Sequence, residues 1–442
     1  MLASTLSTPE LANPQRIDRP PIPVVVMQHV EETAHLRHVR SVLVRAPHVR
    51  LLHLGRLDER IAAHLDGIAV AGDYGTGLAL QALERPGTGE VFAAAVQAIE
   101  VRDVAGLEKL LAITEAVPDS RAGLLSAFGW VSSVQLQGIT KVLLESASPW
   151  RREVGLAACS MHGVDPGPVL VDALRDADSG LRARGLRVAG SVARVDLLGD
   201  CLARVNDEDP RCAFEAARSA LLLGERTGAL GALEALALES PNDAHANNAY
   251  SLAALRLSLK VVAPERARKM LASIAKDVGA ARTAIHAIAI AGDPHYVQWL
   301  IAQMADLKLT RLAGEAFSFI TGLDLAYLDL DRKPPENVPL GPNDDPGDDA
   351  VAMDEDDSLP WPDPEKIGTW WHANGNRFVP GTRYFMGEAP SLAHCLGVLK
   401  TGFQRQRTAA AEHISLLRPG TPIFNTAAPT RRQQRLLDRM GP

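Results

Sequence analysis

The stretches WRREVGLAACSMHG (residues 150–163) and LRARGLRVAGSVAR (residues 181–194) begin 31 residues apart and share one order of arginine, apolar and small side chains. Alanine keeps this interval in a column made up of Ala127, Ala158, Ala189 and Ala220. Self-similarity at a fixed period of about 20–50 residues is typical of repeat proteins. A small side chain at the same place in every unit also lets neighbouring helices approach closely. The sequence therefore predicts a helical repeat.

Two more columns keep the same interval and predict a second helix in each unit. They are Leu143, Leu174, Val205 and Leu236, and, four residues earlier, Ile139, Leu170, Cys201 and Ala232. A spacing of four places both columns on one apolar stripe of a helix. Asp178 and Asp209 suit the N-cap of the next helix, and Pro210 suits its first position. Because one helix pair cannot bury its own apolar face, the pairs must stack into an α-solenoid.

Composition agrees with an all-α fold. Of 442 residues, 46% are hydrophobic and only 5% are aromatic, which favours Ala- and Leu-rich helices over a β-sandwich. The repeat pattern is clearest over residues 118–238, and we predict that the solenoid extends from about residue 24 to residue 331.

Charge and proline divide the rest of the chain. Residues 334–365 hold eleven carboxylates, eight prolines and no Lys or Arg, whereas residues 366–442 hold eleven Lys and Arg against three acids. A proline-rich acidic stretch cannot bury enough apolar surface to offset its chain entropy. We therefore predict a disordered leader (1–23), the solenoid (24–331), an acidic linker (332–365) and a basic C-terminal region (366–442).

The C-terminal region is predicted to form a small appendage of a hairpin plus helix. Pro380-Gly381 separates two short β-prone runs in RFVPGTRYF (residues 377–385), which indicates a hairpin. SLAHCLGVLKTGFQRQRTAAAEHISLL (residues 391–417) is mostly helical in pattern. The arginines of this region suit phosphate, but the adjoining acidic linker competes for them, so nucleic acid is not a predicted partner.

No motif in the sequence marks a catalytic, cofactor or metal site, and none of these is predicted. His35 and His38 lie beside two glutamates without the HExxH spacing, and AGDYGTG (residues 71–77) lacks the order of a phosphate-binding loop. No GxSxG elbow occurs, and no evident small-molecule substrate follows from the motifs. The four cysteines show no CxxC spacing and are predicted to be buried thiols.

The chain has no run of 18 apolar residues, so no membrane span is predicted. It also lacks a basic segment followed by an apolar signal region at its start. We therefore expect a cytoplasmic protein.

Several segments resemble a known family. An arginine early in each first helix, followed by alanines, resembles the short HEAT repeats of bilin-lyase-like proteins; the arginines are Arg152, Arg182 and Arg211. MQHVEETAHLRHVR (from Met27), LGRLDERIAAHLDGIAVAGDYG (from Leu54), RLAGEAFSFITGLDL (from Arg311) and RFVPGTRYFMGEAP (from Arg377) are similar to blocks of an uncharacterised proteobacterial HEAT-repeat family. The resemblance implies a HEAT-repeat-like solenoid. Some members are encoded near contractile type VI secretion effector genes, which implies a secretion context.

Two functions are compatible with these patterns. The first is a protein interaction scaffold or adaptor, possible because solenoids present long surfaces, with repeated second helices commonly on the concave side. Its predicted partner-binding residues are Glu145, Asp172, Asp176 and Asp207, and its predicted partner is a secretion effector or delivery component. Alternatively, this face is ordinary solvated surface, with Asp176 and Asp207 serving the turns, or is covered by the chain's own basic tail. The second function is a lyase-like enzyme or a pigment- or cofactor-handling protein, which rests on fold analogy alone.

Overall fold

The computed structural model describes residues 20–238, 246–336, 338, 354 and 356–441. These residues are mostly helical, with two two-residue strands. The elements are α1 (Pro23–Leu43), α2 (Leu51–Val70), α3 (Asp73–Gln81), α4 (Thr88–Glu100), α5 (Val104–Ala116), α6 (Arg121–Trp130), α7 (Ile139–Leu144), α8 (Pro149–His162), α9 (Val169–Ala173), α10 (Ser179–Ser191), α11 (Leu198–Leu202), α12 (Pro210–Leu222), α13 (Gly228–Leu238), α14 (Ala246–Val261), α15 (Pro264–Ile274), α16 (Ala281–Ala291), α17 (Val297–Gln303), α18 (Thr310–Thr321), β1 (Asp331–Arg332), β2 (Trp361–Pro362), α19 (Pro364–Asn374), α20 (Leu392–Thr401), α21 (Gln404–Leu417) and α22 (Thr430–Arg439).

The helices form a repeat solenoid, as the sequence predicts. One row of first helices packs in sequence, each against the next, and consists of α1, α4, α6, α8, α10, α12, α14, α16 and α18. The shorter second helices, α5, α7, α9, α11, α13, α15 and α17, pack beside this row. The fold is therefore an all-α solenoid that extends through α18.

Small residues explain the close packing of the first helices. The alanine column of the repeat is buried, with Ala158 at 1% exposure. A Cβ atom added at Gly123 of α6 would lie 2.2 Å from the Thr88 carbonyl oxygen, and one added at Gly190 of α10 would lie 2.4 Å from Ser219 Oγ. Side chains larger than these cannot fit without a shift of the helices.

The predicted helix boundaries at Asp178 and Asp209 are confirmed. The Asp178 carboxylate accepts a hydrogen bond from the Leu181 amide at 2.8 Å, at the start of α10. At the start of α12, the Asp209 carboxylate accepts from the amides of Arg211 (2.9 Å) and Cys212 (3.1 Å), and Pro210 is the first helical residue. These carboxylates satisfy amides that have no partner inside the helix.

The far end of the solenoid is covered by residues that follow α18. Strand β1 pairs with β2 antiparallel, and α19 packs against α17. Trp370 and Trp371 of α19 form edge-on ring contacts with Phe317 of α18 at 6.0 and 6.3 Å. Aromatic side chains of α19 thus cover α18, which ends the row of first helices.

The acidic linker predicted over residues 332–365 is anchored at both described flanks. Arg332 pairs with Trp361 in the short sheet. The guanidinium of Arg282 donates two hydrogen bonds of 2.8 Å to the carboxylate of Asp356. Residues 339–353 lie outside the described part of the chain, as do residues 1–19 of the predicted leader. The first helix begins at Pro23, one residue before the predicted start.

The C-terminal region differs from its prediction in one respect. The turn at Pro380-Gly381 is present, with the Thr382 amide donating to the Val379 carbonyl at 3.1 Å and Gly381 at φ +85°. The residues on either side form no strand, so the hairpin prediction was wrong in its strands. The predicted helix over 391–417 is divided into α20 and α21, because Gly402 and Phe403 are extended.

Within the described residues, none of the helices combines the length and the hydropathy needed to cross a membrane.

Candidate functional site

The four predicted partner-binding carboxylates fall into two environments. Glu145 follows α7 with its side chain 60% exposed, and its ion pair with Lys141 is long at 3.9 Å. Asp172 of α9 is also exposed. Asp176 and Asp207, by contrast, are paired with arginines of the array. The structure therefore separates the predicted set into two available and two engaged carboxylates.

Asp176 and Asp207 hold the turns between units. Arg152 donates to Asp176 at 2.9 Å, and Arg182 donates to both oxygens of Asp207 at 2.9 Å. The Asp207 side chain is only 3% exposed. Burial opposes its ionisation, but hydrogen bonds from Arg182 and the Asp209 amide outweigh burial and lower the pKa of Asp207. This geometry favours the alternative in which both residues serve the turns, and their partner-binding role stays a prediction.

The interior of the array is lined by first helices. Two neighbouring cavities of about 520 and 560 Å³ are bordered by side chains of α1, α6, α8, α10, α12, α14, α16 and α18. Both cavities are thus lined by first helices and not by second helices. Glu145, Asp172, Asp176 and Asp207 border neither cavity.

The C-terminal region runs along the C-terminal ends of the first helices. Its backbone or arginine side chains donate to terminal carbonyls of seven of them: Met386 N to Phe319 O (2.6 Å), Tyr384 N to Gly292 O (2.8 Å), Arg383 to Leu259 O (2.8 Å), Gly420 N to Leu222 O (3.2 Å), Ile423 N to Ser191 O (3.1 Å), and Arg432 to Met161 O (3.4 Å) and Gly129 O (3.0 Å). The last carbonyls of a helix have no partner inside the helix and carry partial negative charge. The basic region therefore completes the ends of the array.

The first residues of α21 join the two ends of the solenoid. The Gln404 amide donates to the Val49 carbonyl at 2.8 Å, and Arg405 Nε donates to the Arg45 carbonyl at 3.0 Å, both in the loop after α1. Arg405 also donates to Glu315 of α18 at 2.8 Å. The loop after α1 and helix α18 thus both contact the start of α21, and α21 lies along both cavities.

The smaller cavity, which we call the arginine cavity, carries an excess of cations. Its lining includes Arg37, Arg40, Arg45, Arg184, Arg187 and Arg218, and among the described residues one carboxylate, Glu412. Glu412 pairs with Lys260, and Arg40 pairs with Asp58 at 2.6 Å. Hydroxyls of Ser126, Ser160 and Thr426, and the rings of Phe92, Trp130 and Phe424, border the same space. The walls combine fixed positive charge with apolar surface.

The larger cavity is also electropositive. His286 of α16 lies on its wall with Arg256, Arg282 and Arg405. Burial, followed by the charges of these three arginines, lowers the pKa of His286 to about 4. His286 is therefore neutral at pH 7.

The described residues contain no group of three or more His, Cys, Asp or Glu that could hold a metal ion. The four cysteines are free and buried, and burial raises the pKa of Cys159 and Cys395 to about 11 and of Cys201 and Cys212 to about 12. Thiols with such values are poor nucleophiles at neutral pH.

Sequence reasoning missed the arginine cavity, although a signal for it was present. Arg187 and Arg218 are 31 residues apart, and so are Glu153, Arg184 and Glu215. Charged residues that recur at the repeat period on a buried helix face are unusual, because isolated charges are costly to bury. That recurrence was the available clue.

No protein-family model matches this chain, and a search of curated proteins gives no match. A crystal structure of an engineered protein is 15% identical in sequence and covers 69% of this chain and 90% of its own. Its TM-score is 0.31, which is too low to support an argument from structural similarity.

Proposed function

We propose that this chain is a protein interaction scaffold or adaptor that contacts its partner through the outer face of its second helices. The main observation that supports this proposal is that the side of the array opposite the second helices is already occupied by the chain itself. The chain's own C-terminal region covers the ends of the first helices, and α21 lies along the interior cavities. The second helices are the long repeated surface left open to another protein.

Exposed apolar residues support the same surface. Val104, Val134, Val164 and Val195 recur at intervals of 30 or 31 residues, at the start of α5 and in the segments that lead into α7, α9 and α11, and each is between 49% and 73% exposed. Aligned exposed apolar side chains are typical of protein contact sites. Glu145, directly after α7, and Asp172, on the neighbouring helix α9, add negative charge. The partner that fits is a protein with basic and apolar groups.

The resemblance to the HEAT-repeat family makes a secretion effector, or a component that delivers it, the first candidate partner in the cytoplasm. The lyase-like or pigment-handling alternative stays a prediction.

Charge reversal tests this proposal. A Glu145→Lys, Asp172→Lys double variant should capture less partner and associate more slowly, chiefly at low salt, since exposed charges steer encounters and are screened within about 10 Å at 0.1 M. A Glu31→Lys, Asp438→Lys variant is the matched control, because it changes the net charge equally at exposed positions of α1 and α22. Equal capture by parent, test and control proteins would remove this face from the proposal.

A further inference from the structure

We propose that the arginine cavity binds a small organic anion whose phosphate or carboxylate head is held by Arg184, Arg187 and Arg218 and whose apolar body packs on the aromatic wall. This site is independent of the second-helix face. The two proposals can therefore fail separately.

The three arginines share too few acceptors. Arg187 of α10 pairs with Glu215 at 3.1 Å, whereas Arg218 of α12 lies 3.6 Å from the other oxygen of that carboxylate. Arg184 lies 3.9 Å from Glu153. The last two separations are too long for hydrogen bonds. Three guanidinium groups thus share two carboxylates, and only one contact is close.

Two donors of this cluster are left without an acceptor. Arg184 Nε and Arg218 Nη1 are both buried, and within the part of the chain that the structure describes neither has a hydrogen-bond partner. A buried charged donor without a partner is costly, because it has lost its hydration and gained no acceptor, so native structures rarely keep one without a reason. Burial also lowers the pKa of both guanidinium groups, and Arg187 adds to the shift. An oxyanion would supply the acceptors and the missing negative charge.

Other positive groups reinforce this field. Among the described residues, Arg37 hydrogen-bonds to two neutral oxygens, the Ala122 carbonyl (3.0 Å) and the Ser126 hydroxyl (2.7 Å). Arg45 is exposed and borders both cavities. The one carboxylate on the wall, Glu412, has its charge matched by Lys260. An anion that enters meets a net positive potential.

Size and lining define the ligand class. The cavity of about 520 Å³ falls in the range of about 300–1,000 Å³ that is usual for small-molecule sites. Arg187 keeps 54% of its side chain exposed, so solvent reaches the cluster. Phe92, Trp130 and Phe424 offer apolar surface beside the arginines. A compact anion with an aromatic or aliphatic body matches both parts of the wall.

Titration calorimetry on the full chain tests the proposal, with phenyl phosphate and benzoate as probes and phenol as the neutral analogue. We expect saturable 1:1 binding of at least one anion and none of phenol. Arg218→Gln and Arg187→Gln should each weaken that binding about tenfold, because each removes a charge-assisted hydrogen bond. Arg60→Gln, at an exposed arginine of α2 outside both cavities, should leave it unchanged.

Arg187→Gln is the variant expected to fold normally, because the Arg187 side chain is half exposed. Circular dichroism checks that each variant is folded. Absence of saturable binding by either anion at about 10 mM, which corresponds to a binding free energy near 3 kcal/mol, would overturn the proposal. Equal affinity in the parent and Arg187→Gln proteins would also overturn it.

Discussion

Single residues divide into those whose role follows from local sequence and those whose role depends on distant partners. Asp178 and Asp209 were predictable as N-caps, because the capping bond forms within three residues. The pairing of Asp207 with Arg182 was not, because it depends on how the turn between units brings two helices together. Asp207 was consequently assigned to an exposed face although it is buried. Hydrogen bonds within a few residues can be predicted from the sequence, whereas ion pairs between distant residues cannot.

Removal of the Asp207 carboxylate should destabilise the array. Asp207→Ala leaves Arg182 without its carboxylate and the Asp209 amide without its acceptor, so the free energy of unfolding should fall by about 3 kcal/mol. Urea unfolding measures this change, and Asp172→Ala, at an exposed position, should stay within about 0.5 kcal/mol of the parent. Equal effects of the two substitutions would show that Asp207 has no structural role.

His286 should make stability dependent on pH. Its pKa is about 4 in the folded chain against an ordinary value of about 6.5, so the unfolded chain binds the proton more readily between these values. Stability from neutral His286 is thus present above pH 6.5 and is lost as the pH falls towards 4, by up to about 3 kcal/mol. His286→Gln should reduce the loss measured by urea unfolding, whereas His35→Gln, at an exposed site, should not. Parallel pH profiles for the parent and His286→Gln proteins would contradict this assignment.

At the scale of elements, the repeat period predicted the helix pairs and their order but not the face that each row presents. The period fixes which residues are equivalent, and the buried alanine column confirms that register. It does not determine the curvature of the stack, because curvature arises from small rotations between units. The first helices were therefore not expected to line the interior. The C-terminal region carries no repeat pattern, and its contacts with carbonyls of seven helices left no mark in the sequence beyond positive charge.

The register of the first helices can be tested at Ala158. Ala158→Leu inserts a large side chain between packed helices, so the free energy of unfolding should fall by about 1–3 kcal/mol. Ala63→Leu, at an exposed position of α2, is the matched control and should have little effect. A variant at Ala158 as stable as the parent in urea unfolding would be incompatible with close packing of α8 against its neighbours.

The whole molecule is one closed array rather than a solenoid with a loose appendage. The start of α21 contacts both the loop after α1 and helix α18, and the C-terminal region caps the ends of the first helices between them. Sequence analysis identified this region by its charge and assigned it to a separate basic region. Some of these contacts, such as that of Arg432 with Gly129, join residues more than 300 positions apart in the sequence. No local sequence pattern predicts contacts of that kind.

The most direct test of this closed arrangement is to cut the chain between the array and its C-terminal region. A specific protease site is placed within residues 339–353, and the cleaved protein is analysed by size-exclusion chromatography without denaturant. The account predicts that both fragments elute together, with separation only in a variant such as Arg405→Glu, Arg432→Glu that breaks the contacts with α18 and α6. Separation of the fragments in the cleaved parent protein would contradict it.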